Sequence, residues 1–115
     1  MSIITKERQA GPVTVIELSG RLSLGPELDA LDEKLQHLMG AGQLDFLLDC
    51  SRVTAIDSQG IKTLVRGVIS SGKRGGKFKL LKISRRVREV LNLTRLLAVI
   101  EAFDDEEAAL RSFSG

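Results

Sequence analysis

Twice in this chain a short, nearly continuous apolar run is followed by residues spaced for an amphipathic helix. "LDFLLDC" at 44–50 precedes Ile61, Leu64, Val65, Val68 and Ile69, which fall at i, i+3, i+4, i+7 and i+8. "KFKLLKI" at 77–83 precedes a helix carrying Val87, Val90 and Leu91, with Ser84 placed to cap it. An apolar run of that length is expected of a strand covered on both faces. Strands alternating with helices imply right-handed crossovers and a largely parallel sheet.

The remaining segments extend this pattern. Residues 3–9 and 13–19 read as two strands around Ala10-Gly11-Pro12, a hairpin-like turn that adds one antiparallel strand. In "GPELDALDEKLQHLMGAG", Pro26 suits a first helical position, and Leu28, Leu31, Leu35, Leu38 and Met39 form one stripe. Gly40 to Gly42 end that helix, and Gly72 is expected to stop the helix begun after Asp57. "LLAVIEAF" at 96–103 reads as an edge strand. Asp104 to Glu107 put negative charge at the start of a last helix, docked by Leu110 and Phe113. The expected architecture is one α/β domain over residues 1–115: a small, mixed, mostly parallel sheet with an N-terminal antiparallel strand, flanked by about four helices.

Composition narrows the function. At 115 residues the chain suffices for one small core. Its aromatics are four Phe, with no Trp or Tyr, so the core must be Leu, Ile, Val and Ala, and base stacking on exposed rings is disfavoured. No apolar run approaches the roughly 18 residues of a membrane span, and no signal-peptide core is visible. With Cys50 the single cysteine, a cytoplasmic protein without membrane insertion is expected. Cys50 and His37 are each alone of their kind, so no Cys- or His-rich metal site can form within the chain, and both read as packing or surface residues.

Net charge is only +2, but Lys73, Arg74, Lys77, Lys79, Lys82, Arg85, Arg86 and Arg88 form a run free of acids, while Glu27 to Asp49 is mostly acidic. The run reads as a solvated face; the competing reading is a surface for nucleic acid or another anionic partner.

The tetrapeptide Asp57-Ser58-Gln59-Gly60 stands at the head of the best-defined helix. A nucleophilic serine needs Gly two residues before it, where this chain has Ile56, and a histidine base, whereas His37 belongs to a separate helix. No catalytic residue is therefore assigned, and no enzyme is expected. "GKRGGK" at 72–77 is no phosphate cradle either, since it follows a helix and precedes a strand, the reverse of the P-loop order. Asp57 fits a helix cap. A cap does not account for Gly60, which costs about 1 kcal/mol relative to Ala inside a helix. Gly60, Thr63, Gly67 and Ser70 or Ser71 form a strip of small side chains beginning beside Ser58. The strip either packs the helix on its own sheet or receives a partner. Ser58 itself suits a modifiable hydroxyl: a phosphate there adds about −1.5 to −2 charges beside Asp57, leaving the fold intact and spoiling an interface.

"GRLSLGPELDALDEKL", "LLDCSRVTAIDSQGIKTL" and "KISRRVREVLNLTRLLAVIEAFDDEEAAL", in this order of elements, together resemble a STAS domain, and within it the bacterial anti-sigma factor antagonists. The resemblance implies that Ser58 is a phosphorylation site. It also implies that the unmodified protein binds an anti-sigma factor serine kinase and so releases a sigma factor. Phosphorylation breaks that complex and a PP2C-type phosphatase restores it; catalysis, ATP and metal belong to these partners, and no cofactor or direct nucleic-acid contact is implied. Partner contact is expected at Asp57, Ser58, Gln59, Gly60, Thr63, Gly67 and Ser23. The family often carries Asp in the loop after the second strand, where this chain has Ser23 in "GRLS". The alternative implied by the family is a scaffold without a phosphoswitch, or a cytoplasmic subunit of a transport complex.

Overall fold

The computed structural model describes residues 3–114. Strands β1 (Ile4–Ala10), β2 (Val13–Leu22), β3 (Asp45–Ile56), β4 (Phe78–Leu81) and β5 (Ala102–Phe103) form one sheet in the order β1-β2-β3-β4-β5. β1 runs antiparallel to β2, and the pairs β2–β3, β3–β4 and β4–β5 are parallel. Helices α1 (Pro26–Gly40), α2 (Ser58–Lys73) and α3 (Arg85–Leu93) follow β2, β3 and β4, and α4 (Glu106–Ser112) follows β5. This is the expected mixed, mostly parallel sheet with four flanking helices.

Alternation along the strands divides the interior in two. Phe46, Leu48 and Cys50 of β3 and Phe78 and Leu80 of β4 face a larger core shared with α1, α2 and α3. Leu47 and Leu81 point the other way, into a smaller core with Val13 and Val15, with Ala109 of α4 and with Phe113 just after it. Being covered on both sides is why the centre of "LDFLLDC", Phe46-Leu47-Leu48, is apolar on both faces of the strand. Arg8 of β1 ties the smaller layer down, since its guanidinium donates to Glu106 through both terminal nitrogens, at 2.5 and 3.0 Å, and to Glu17 at 2.9 Å.

Three sequence expectations are corrected. "LLAVIEAF" is not an edge strand along its length: Leu96–Ala98 is a 3-10 turn, and only Ala102–Phe103 pairs with β4. Arg95 in the left-handed region (φ 60°) turns the chain, and the Ile100 N–H donates to Leu96 O at 2.9 Å. Leu96 and Ile100, four apart, thus enter the core on the same side, one helical turn apart. Second, Gly75 (φ 83°) rather than Gly72 ends α2, with the Gly76 N–H donating back to Ser71 O at 2.8 Å. Third, the run Lys73 to Arg88 is mostly solvated, but Lys79 is only 6 % exposed. β4 turns its Nζ under α4, where it donates to Ser112 Oγ at 2.8 Å and Ser112 O at 3.2 Å and pairs with Glu101 at 3.1 Å. The same ammonium lies 4.8 Å from the Phe113 ring centroid.

β3 is longer than its apolar run. Its last seven residues, Cys50–Ile56, extend past the end of β4, whose Leu81 pairs with Asp49, and continue beside β2 to the pair Leu22–Ile56. The extension carries Asp57 and Ser58 to the same rim as the loop leaving β2.

Candidate functional site

At that rim two connections are fastened together. The Asp57 N–H donates to Leu22 O at 3.0 Å. Its carboxylate works in both directions: Oδ1 accepts from the Gln59 and Gly60 N–H groups at 2.9 and 3.0 Å, capping α2, while Oδ2 accepts from the Leu24 N–H at 2.9 Å. One acidic side chain thus caps the helix and holds the loop Ser23-Leu24-Gly25 against it. These bonds favour the ionised form, so Asp57 titrates below the usual carboxylate range; the Leu24 N–H is the largest cause, followed by that of Gly60, with Arg21 adding a weaker Coulombic pull.

Ser58 is the first residue of α2 and is exposed. Of the donors in the first turn, the Gln59 and Gly60 N–H groups are taken by Asp57 Oδ1, and the Ile61 N–H goes to Asp57 O at 3.0 Å. A dianion on Ser58 would therefore find the Gln59, Gly60 and Ile61 N–H groups already engaged and stand in the open beside a carboxylate.

The small strip faces inward. Gly60, Thr63, Gly67 and Ser71 are the buried residues of α2 together with Leu64. A Cβ on Gly60 would collide with Leu22 O and come within 2.8 Å of Ile56 Cγ1, and one on Gly67 would lie 2.5 Å from the Phe78 ring. Gly60 and Gly67 thus bring the helix close to its own sheet. Thr63, 8 % exposed, donates its hydroxyl to Gln59 O at 3.2 Å and reaches only the floor of a shallow cleft between α1 and α2.

Since small residues occupy the centre of the inward face, the apolar stripe read from the sequence is turned sideways and out. Among its members only Leu64 is fully buried; Ile61, Val65 and Val68 are partly covered, and Ile69 is 50 % exposed. Of the expected site residues, Asp57, Ser58, Gln59 and Ser23 gather at the rim, while Gly60, Thr63 and Gly67 lie behind it. Two features escaped the sequence reading. Leu24, 74 % exposed, crowns the clamped loop, and Lys62 and Arg66 flank the cleft that Leu24 and Gln59 also line. An isolated leucine between Ser and Gly carries no periodic signal that could have singled it out.

The mixed sheet and its clamped, serine-bearing helix N-terminus define a small α/β domain whose distinctive chemistry lies at one rim. The chain belongs to the STAS domain family, whose signature matches residues 4–109. No curated protein sequence matches it. Among solved structures it is similar to an anti-sigma factor antagonist from Mycobacterium paratuberculosis, at 23% identity and a TM-score of 0.84, over 99% of this chain and 96% of that one. It is similar also to the anti-sigma factor antagonist SpoIIAA in its unphosphorylated form (19% identity, TM-score 0.78, 97% of this chain and 99% of that one). The phosphorylated form of SpoIIAA, a Bacillus cell fate determinant, matches at 20% identity and a TM-score of 0.75, over 95% and 99% of the two chains. Among the described residues no helix is long and apolar enough to cross a membrane.

Proposed function

We propose that this protein is an anti-sigma factor antagonist whose binding is switched at Ser58. Unmodified, it binds an anti-sigma factor that is also a serine kinase, and a sigma factor is thereby released. Phosphorylation of Ser58 ends the complex, and a PP2C-type phosphatase restores it. The chain contributes a surface and an acceptor hydroxyl, and phosphoryl transfer belongs to the partners.

The observation that carries this reading is the exposed Ser58 at the head of α2, beside an Asp57 whose carboxylate is already committed. Phosphate there adds two negative charges, to a first approximation, beside an existing one. Nothing in the core need move, so the fold survives while a partner seated on the rim meets a new dianion beside Asp57. That SpoIIAA has been solved in unphosphorylated and phosphorylated forms supports the same reading.

The test is intact-mass analysis after mixing the protein with ATP, Mg²⁺ and candidate anti-sigma factor kinases. The expected result is a gain of one phosphate that Ser58→Ala abolishes, with Ser58→Asp losing affinity for the same kinase. Ser23, in the loop position where the family often has Asp, favours the second reading, a scaffold or transport-complex subunit without a phosphoswitch. No gain of mass, with stable binding to some other protein, would establish that reading instead.

A further inference from the structure

Rotation of α2 leaves an unusual outward surface. Ile61, Val65 and Ile69 border a shallow depression of about 440 Å³, and the charged residues around it are Lys62, Arg66 and Lys73. No acid lines it; on the α1 side Asp32 pairs with Arg66 at 3.4 Å and Asp29 shares the cleft between α1 and α2. Lys62 and Lys73 are exposed, and between Ser58 and Lys79 the chain has no Asp or Glu. An apolar stripe at helical spacing, half uncovered and rimmed by one sign of charge, matches a helix that carries apolar residues on one face and carboxylates beside them. A second copy of this chain fits poorly, because a two-fold contact through α2 would set Lys62, Arg66 and Lys73 against their own counterparts.

We infer that the outward face of α2 is a docking surface for an acidic amphipathic helix of a partner protein, with Ile61, Val65 and Ile69 receiving its apolar face and Lys62 and Lys73 its carboxylates. This extends the reading of Ser58 as the switch and rests on it for the partner's identity. It also adds a way for the switch to act. Ser58 and Lys62 are four apart on one helix, so a phosphate on Ser58 lies within reach of the Lys62 ammonium. Phosphorylation then both repels the acidic helix and engages a cation that had received it.

The test uses ¹⁵N-labelled full-length protein titrated with a synthetic amphipathic helix bearing leucine on one face and glutamate on the other, and with its lysine counterpart. The acidic peptide should shift amides of residues 61–73 and bind at least about tenfold more tightly than the basic one, a difference of about 1.4 kcal/mol. Lys62→Glu with Lys73→Glu should reverse the preference, and both substitutions lie on exposed positions that leave the fold alone. Equal binding of the two peptides, or shifts confined to another surface, would overturn the inference. Should the acidic peptide bind Ser58→Asp as well as it binds the wild type, the docking surface stands and the switch falls. Should a kinase phosphorylate Ser58 while neither peptide finds α2, the switch stands and the docking surface falls.

Discussion

Asp57 and Leu24 sit on different connections, and a 2.9 Å hydrogen bond from the Leu24 N–H to Asp57 Oδ2 makes the two connections one rigid rim. The other carboxylate oxygen caps α2, so the position of Ser58 and the position of the Ser23-Leu24 loop depend on the same side chain.

Asp57→Asn keeps one acceptor and loses the other with the charge. It should cost about 1 kcal/mol near neutral pH, within the about 0.5–2 kcal/mol of losing the cap altogether, because Asn is itself a good N-cap and the loss falls on the Leu24 bond and the charge. The pH dependence has a definite sign. Because the folded-state pKa of Asp57 is depressed, its ionisation stabilises the fold fully above the unfolded value, about 3.9, and this contribution fades as pH falls through the lower folded value. Urea unfolding of wild type and variant should therefore differ most near neutrality and converge in strong acid. A gap that widens on acidification would contradict the clamp.

Gly60→Ala separates propensity from packing. On an exposed helical site, Gly→Ala stabilises by about 1 kcal/mol. Here the added methyl collides with the Leu22 carbonyl, and overpacking costs about 1–3 kcal/mol, so the net change should be destabilising. Gly72→Ala, also in α2 but with open space around its Cβ, should be neutral or stabilising. Thermal melts of both variants decide the matter; a stabilised Gly60→Ala would mean that α2 sits farther from β2 than described.

Lys79→Met retains the apolar stem and removes the ammonium that holds the end of α4. Its three partners are Ser112 Oγ, Ser112 O and Glu101. Loss of hydrogen bonds from a charged donor should cost about 1.5–3 kcal/mol. Glu101 is exposed, so no charge is left stranded in the interior. Hydrogen exchange should show α4 opening first, whereas unchanged protection over 106–112 would deny Lys79 this role.

Cys50 is buried in the larger core, and burial pushes its thiol up to about 12, with Asp49 adding a smaller push. At neutral pH it should not react with thiol reagents until the domain unfolds, because the thiolate is the reactive form. Labelling followed across a urea titration should track global unfolding. Fast labelling of the native protein would show that the core opens locally.

The alternation of strands and helices, the cap residues Asp57 and Ser84, the negative charge at the head of α4 and the antiparallel first pair were all legible in the sequence. Each depends on residues a few positions apart: spacing of 3.6 or 2, a short polar side chain before an apolar stripe, Gly and Pro between runs. The serine-bearing rim was legible for the same reason.

How α2 is turned about its axis was not legible. Spacing left open whether the small strip meets its own sheet or a partner. In the fold Gly60 and Gly67 are innermost, because Leu22 O and the Phe78 ring approach those two positions, and Ile61 and Val65 pack only against the edge of the core. Neither neighbour is local: Leu22 and Phe78 lie on different strands, and only their arrival beneath the helix decides which face is close-packed. Lys79 repeats the lesson. Within the chain it is one cation in a basic run; in the fold it lies between β4 and α4, where the ends of other elements supply its acceptors. Near-neighbour chemistry determined the elements and their caps. Distance across the layers, set by what each backbone meets on the other side, decided which faces are core and which remain free for a partner.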